Sequence, residues 1–92
     1  MDTSLPGADL IERGLADLAR GEESVEALLV SIGAPRLRGL GLTIDRSFPN
    51  PERRLYERLA ADDSDSAHSR YNALIRRLVS FERAAECVSP RT

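Results

Sequence analysis

From His68 to Ala84 the chain reads HSRYNALIRRLVSFERA, and its apolar positions fall on one side of a helix. Tyr71, Leu74, Ile75, Leu78, Phe81 and Ala85 recur at intervals of three and four, spanning about 120° of a wheel turned ~100° per residue. Arg76 and Arg83 project from the opposite side, Arg70 and Arg77 lie along one flank, and no acid appears before Glu82. The same periodicity recurs upstream. In TSLPGADLIERGLADLARG, Ala8, Ile11, Leu15 and Leu18 form one face. Thr3 or Ser4 is the expected cap, Pro6 suits the first turn, and Gly21 is the stop. In SVEALLVSIG, Ser24 caps, Val25, Leu28, Leu29 and Ile32 give the i, i+3, i+4, i+7 pattern, and Gly33 is read as the end. The short Gly21–Glu23 linker predicts an antiparallel pair. In NPERRLYERLAADD, Asn50 is the cap, Pro51 stands at the first helical position, and Leu55 and Leu59 point inward with Tyr56 or Ala60. Asp and Ser residues between Asp62 and Ser66 are available to cap the last helix.

The segment APRLRGLGLTIDRSFPNP breaks this rhythm. Pro35 opens at most one helical turn before Gly39 and Gly41. Leu40, Leu42 and Ile44 then alternate with Gly41 and Thr43 as a short strand does. A lone strand has no mate, so this stretch is either an extended loop laid over the core or an edge offered to another molecule. The expected fold is therefore all-α: one domain over residues 1–92, a compact bundle of about four short helices with an irregular Gly/Pro-rich middle.

Composition narrows the function. The chain has 92 residues, no Trp and few aromatics, so its core is aliphatic. One cysteine, Cys87, excludes an internal disulfide framework and any cysteine-based zinc site. The N-terminus lacks a basic n-region followed by an apolar run, and no segment approaches the ~20 apolar residues of a membrane span, so a cytoplasmic protein is expected. His68 is the single histidine, and the chain has no lysine, hence no phosphate loop with its lysine. GLGL lacks a dinucleotide-site pattern, and Asp62, Asp63 and Asp65 lack the calcium-loop pattern. No catalytic residue, metal site or cofactor is assigned, and the expectation is a non-enzymatic protein.

Charge gives the remaining lead. Net charge is −2, but residues 1–35 hold seven acids and two arginines, whereas residues 36–58 hold six arginines and three acids. All 13 basic residues are arginine. This fits either codon bias or selection for the planar fork that pairs with carboxylates and phosphates. Arg70, Arg76, Arg77 and Arg83, with Arg36 and Arg38 farther upstream, are the candidate charged contacts; Leu40, Leu42 and Ile44 are the candidate apolar anchor. His68, beside Arg70 and Asn72, either joins an anion-binding cluster or stands as a surface residue near a helix start. Three partners fit: a protein, nucleic acid, or, through the apolar loop, a second copy. The acidic balance and the scarcity of aromatics for stacking disfavour nucleic acid. A helix-turn-helix with its turn at Gly33 fails because Gly39 would interrupt the recognition helix.

APRLRGLGL, PERRLYERLA and AHSRYNALIRRLVSFERA together resemble small helical antitoxins encoded beside nucleotidyltransferase-like toxins in GC-rich bacteria, over about residues 24–86. That resemblance implies a non-enzymatic protein that binds its toxin and blocks the active site or nucleotide access. Antitoxins that also repress transcription usually carry a recognisable DNA-binding module. None is evident here, so autorepression is not expected.

Overall fold

The computed structural model describes residues 5–88. Four helices, α1 (Ala8–Ala19), α2 (Val25–Gly39), α3 (Pro51–Asp62) and α4 (Ala67–Val88), form a small all-α bundle, and no strand occurs among the described residues. Thr3 and Ser4, the expected caps of α1, lie outside the described residues; Gly7 occupies the cap position. Leu5 accepts from the Ala8 amide at 3.1 Å, and Ile11 donates to Gly7.

Gly21 ends α1 as expected, with φ at 73°. This left-handed turn lets the Glu22 amide reach back to the Asp17 carbonyl at 2.8 Å and the Gly21 amide to Leu18 at 3.0 Å. Asp17 is also buried through its side chain. It accepts from Ser24 Oγ at 2.6 Å and pairs with Arg20, tying the end of α1 to the start of α2. Ser24 in turn accepts from the Ala27 amide at 3.0 Å, the expected cap. The hairpin is antiparallel: Asp17 meets Ser24, and farther back along α1, Gly14 faces Glu26 and Val30.

The second helix does not stop at Gly33. It continues through Pro35 to Gly39, and Gly41 beyond its cap has a φ of 101° that permits the same reach-back from Leu42 to Leu37. The reason lies in its surroundings. Ala27, Leu28, Leu29, Val30, Ser31, Gly33, Ala34 and Leu37 are all buried, so α2 is the central helix that the others surround. Gly33 is there for space. A Cβ at that position would lie 2.9 Å from both Leu78 Cδ1 and Glu82 Oε2 on α4. Pro35 has no N–H for the helix ladder, a cost that burial of the flanking apolar residues overrides.

The Leu40–Ile44 stretch is a loop laid over the core. Ile44 is buried and Leu40 and Leu42 are partly buried against the core cluster. Arg38 Nε donates to the Ile44 carbonyl at 2.9 Å, and the Phe48 amide donates to the buried Ser31 Oγ at 3.1 Å. Pro51 opens α3 as expected, whereas Asn50 takes a left-handed conformation (φ 48°) and makes no side-chain capping bond. Leu55 and Leu59 are buried. Tyr56 is the exposed member of its pair, tilted against Tyr71 with ring centroids 5.8 Å apart. Ser66 precedes α4, where its hydroxyl donates to the Asp63 carbonyl at 3.4 Å.

On α4, Leu78, Phe81 and Ala85 are buried and Tyr71, Leu74 and Ile75 are packed at the core edge, so the stripe faces inward as its periodicity predicts. No helix among the described residues is long and apolar enough to cross a membrane.

Candidate partner-binding surface

The arginines divide by what they touch. Arg70 pairs with Asp62 at 2.7 Å and Arg77 with Asp9 at 3.4 Å. Arg36 reaches Glu82 at 3.8 Å and Glu86 at 3.4 Å, and Arg38 clamps the loop carbonyl of Ile44. Arg54 pairs with Glu23 at 2.6 Å and lies over the Phe48 ring, 5.8 Å from its centroid; Arg58 approaches the same Glu23 at 3.9 Å. Arg58 and Asp62, although spaced i, i+4, do not pair, because tertiary neighbours take both partners. Arg76 and Arg83 are exposed and have no ion pair among the described residues.

Seven candidate residues thus have identified places: two exposed and unpaired (Arg76, Arg83), two paired at the edge of α4 (Arg70, Arg77), two engaged with α4 or the loop (Arg36, Arg38), and one buried (Ile44). Leu40 and Leu42 are half-covered. The apolar series does not form a free patch, since burying Ile44 draws the loop onto the bundle. Arg36 and Arg38 serve the fold.

The outer side of α4 is an uninterrupted polar stripe: Ser69, Asn72, Arg76, Ser80 and Arg83 are all exposed, and it contains no acid. Arg76 and Arg83 are two turns apart, about 10.5 Å along the axis. His68 is exposed at the margin, where its Nε2 lies 3.2 Å from Asn72 Nδ2. Of the two readings of His68, the surface residue near a helix start is the one found: Arg70 turns to Asp62, so no His68–Arg70–Asn72 cluster assembles.

Sequence periodicity left Glu82 unassigned, although on the wheel it falls within the stripe, between Leu78 and Ile75. The residue is only 7% exposed. Its carboxyl is pushed above the usual carboxylate range by burial, partly opposed by Arg36. The Tyr71 phenol is likewise raised, by burial first and by the Glu52 carboxylate second. A shallow groove also lies beside α4. Val25 from α2, Leu59 from α3, and Arg70, Ala73, Leu74 and Arg77 from α4 line it, enclosing about 260 Å³. Its walls come from three helices, so no local pattern announces it.

Among the described residues, no three His, Cys, Asp or Glu side chains converge as a metal site would require, and Cys87 is free and exposed. No protein-family profile, curated protein or solved structure matches this chain.

Proposed function

We propose that this protein is a non-enzymatic cytoplasmic regulator that acts by binding a partner protein through α4, antitoxin-like in kind. The observation that carries the reading is that, among the described residues, two unpaired arginines share one acid-free stripe of a helix, whereas the unpaired Arg13 and Arg46 stand apart from it. Arg36, Arg38, Arg54, Arg70 and Arg77 have internal partners, whereas Arg76 and Arg83 stand exposed and unpaired on an acid-free stripe. An arginine that contributes nothing to its own fold retains five N–H donors for a carboxylate outside it. The resemblance to small antitoxins makes a nucleotidyltransferase-like toxin the partner to test first.

The test is capture of partners from nuclease-treated cells by the tagged protein, eluted across a salt gradient, beside the Arg76→Glu/Arg83→Glu variant. One stoichiometric protein retained at high salt by the native chain, and at least tenfold depleted with the variant, is the expected result. Nucleic acid recovered only when nuclease is omitted, and released by moderate salt, would replace this reading with phosphate binding, which weakens steeply through counterion release.

A further inference from the structure

The arginine stripe supplies charge but no apolar anchor, and the Leu40–Ile44 loop is spent on the core. The groove bounded by Val25, Leu59, Ala73 and Leu74 is an apolar surface on the flank of α4, and Arg70 and Arg77 line it. A second depression of about 460 Å³, lined by Pro6, Gly7, Ala73, Arg76, Arg77 and Ser80, adjoins it through Ala73 and Arg77 and reaches the stripe at Arg76. Small side chains at Ala73 and Ser80 leave a channel along the flank of α4.

Resting on the reading that the partner is a protein, we propose that this channel receives an acidic amphipathic helix of that partner. One leucine-type side chain seats against Val25, Leu59, Ala73 and Leu74. Two carboxylates, seven residues apart on the incoming helix, meet Arg70 and Arg77. Both helices rise 1.5 Å per residue, so a seven-residue spacing on one matches the same spacing on the other. The free protein already shows how a carboxylate approaches each rim. Asp62 and Asp9 each place one oxygen on these guanidiniums, at 2.7 and 3.4 Å, from aspartate side chains that are 72% and 79% exposed. Ion pairs so exposed contribute little to stability, and an incoming carboxylate exchanges with them at small cost. The charged pairs therefore set register and orientation, while the apolar anchor supplies the affinity. Among the described residues, no helix of this chain carries carboxylates seven residues apart, so a second copy lacks the complementary pattern. The groove floor is aliphatic and provides no ring on which a base would stack.

The probe is a helix-stabilised synthetic peptide with a leucine placed between two glutamates seven residues apart, titrated into the full ¹⁵N-labelled chain. Amide shifts should concentrate at Val25, Leu59, Ala73 and Leu74. Binding should weaken at least tenfold when the peptide leucine becomes alanine, or when the protein carries Arg70→Glu/Arg77→Glu. A peptide with arginines in place of both glutamates should recover binding to that double variant. Ala73→Glu, a single change at the groove floor, gives a second route to the same loss should the double variant melt early. The proposal is overturned by absence of shifts at millimolar peptide, by shifts centred on Leu40–Ile44, or by equal binding of a peptide with lysines at the glutamate positions. Self-association that Ala73→Glu abolishes would assign the groove to a second copy instead. A captured protein partner whose retention is unaffected by Ala73→Glu overturns the groove and leaves the proposed function standing. Recovery of nucleic acid in place of any protein overturns that function itself.

Discussion

Two glycines that look alike in the sequence differ in what surrounds them. Gly14 is buried in α1, where an added Cβ would lie 2.4 Å from the Glu26 carbonyl oxygen and 2.4 Å from Val30 Cγ2. The obstacle is partly backbone, which cannot rotate aside. Gly14→Ala should therefore cost about 3 kcal/mol despite alanine's better helix propensity, lowering the melting temperature by roughly 15 °C. Gly33 faces the end of the Glu82 side chain and the methyls of Leu78, both of which can turn. Thermal unfolding of Gly33→Ala should show a much smaller loss. Equal melting of the two variants would mean that α1 and α2 are not in the close contact described.

At the scale of the element, α4 carries a cost that periodicity alone does not reveal. Glu82 is packed against α2 at Gly33, facing Arg36, with Glu86 one turn farther along. Its raised pKa means that the folded state holds this proton more tightly than the unfolded chain. Stability from this group is thus fully present below the ordinary glutamate pKa of about 4.3 and is lost as pH rises through the raised value. Denaturant unfolding of Glu82→Gln, which removes this titration, should give a stability difference from the native chain that grows in the variant's favour across that window and levels off above it. A difference that is flat with pH would place Glu82 in water. The junction of α3 with the α1–α2 turn depends on Arg54, which holds Glu23 and covers Phe48. Arg54→Ala should cost about 1 kcal/mol through loss of the pair and of the ring contact, measured by the same unfolding.

For the whole molecule, the buried stripe of α4 and its unpaired arginines Arg76 and Arg83 fall on opposite sides of the helix. Arg76→Ala/Arg83→Ala should unfold within about 0.5 kcal/mol of the native chain, because surface positions without internal partners contribute little. The same double variant should lose partner retention in the capture experiment. Early melting would show that these arginines belong to the fold. The inner stripe of α4 closes the bundle over α2, and its flank and outer side remain accessible.

The four helices were legible in the sequence because each carries a period of three to four and a local punctuation mark: Ser24 as cap, Pro51 at a first turn, Gly21 as a stop. Those signals depend on neighbours within one turn of the chain. The solvent-facing positions of Arg76 and Arg83 follow from the same geometry, since a helix that buries one stripe must expose the opposite one. Tertiary structure decided what depends on distant neighbours. Gly33 reads as a stop and Pro35 as the opening of at most one further turn, yet α2 runs through both because burial of Val30, Ser31, Ala34 and Leu37 around them outweighs propensity, and Gly33 is the space in which α4 comes close. The Leu40–Ile44 stretch reads either as a loop over the core or as an edge offered outward, and the loop folds down where Arg38 and Ser31 bind its backbone. Arg58 and Asp62 are spaced to pair, but Glu23 and Arg70 approach from other helices and take them. The groove at Arg70 and Arg77 has walls from α2, α3 and α4. Helical periodicity specifies which face each helix presents, while packing alone determines which faces meet and what space they leave between them.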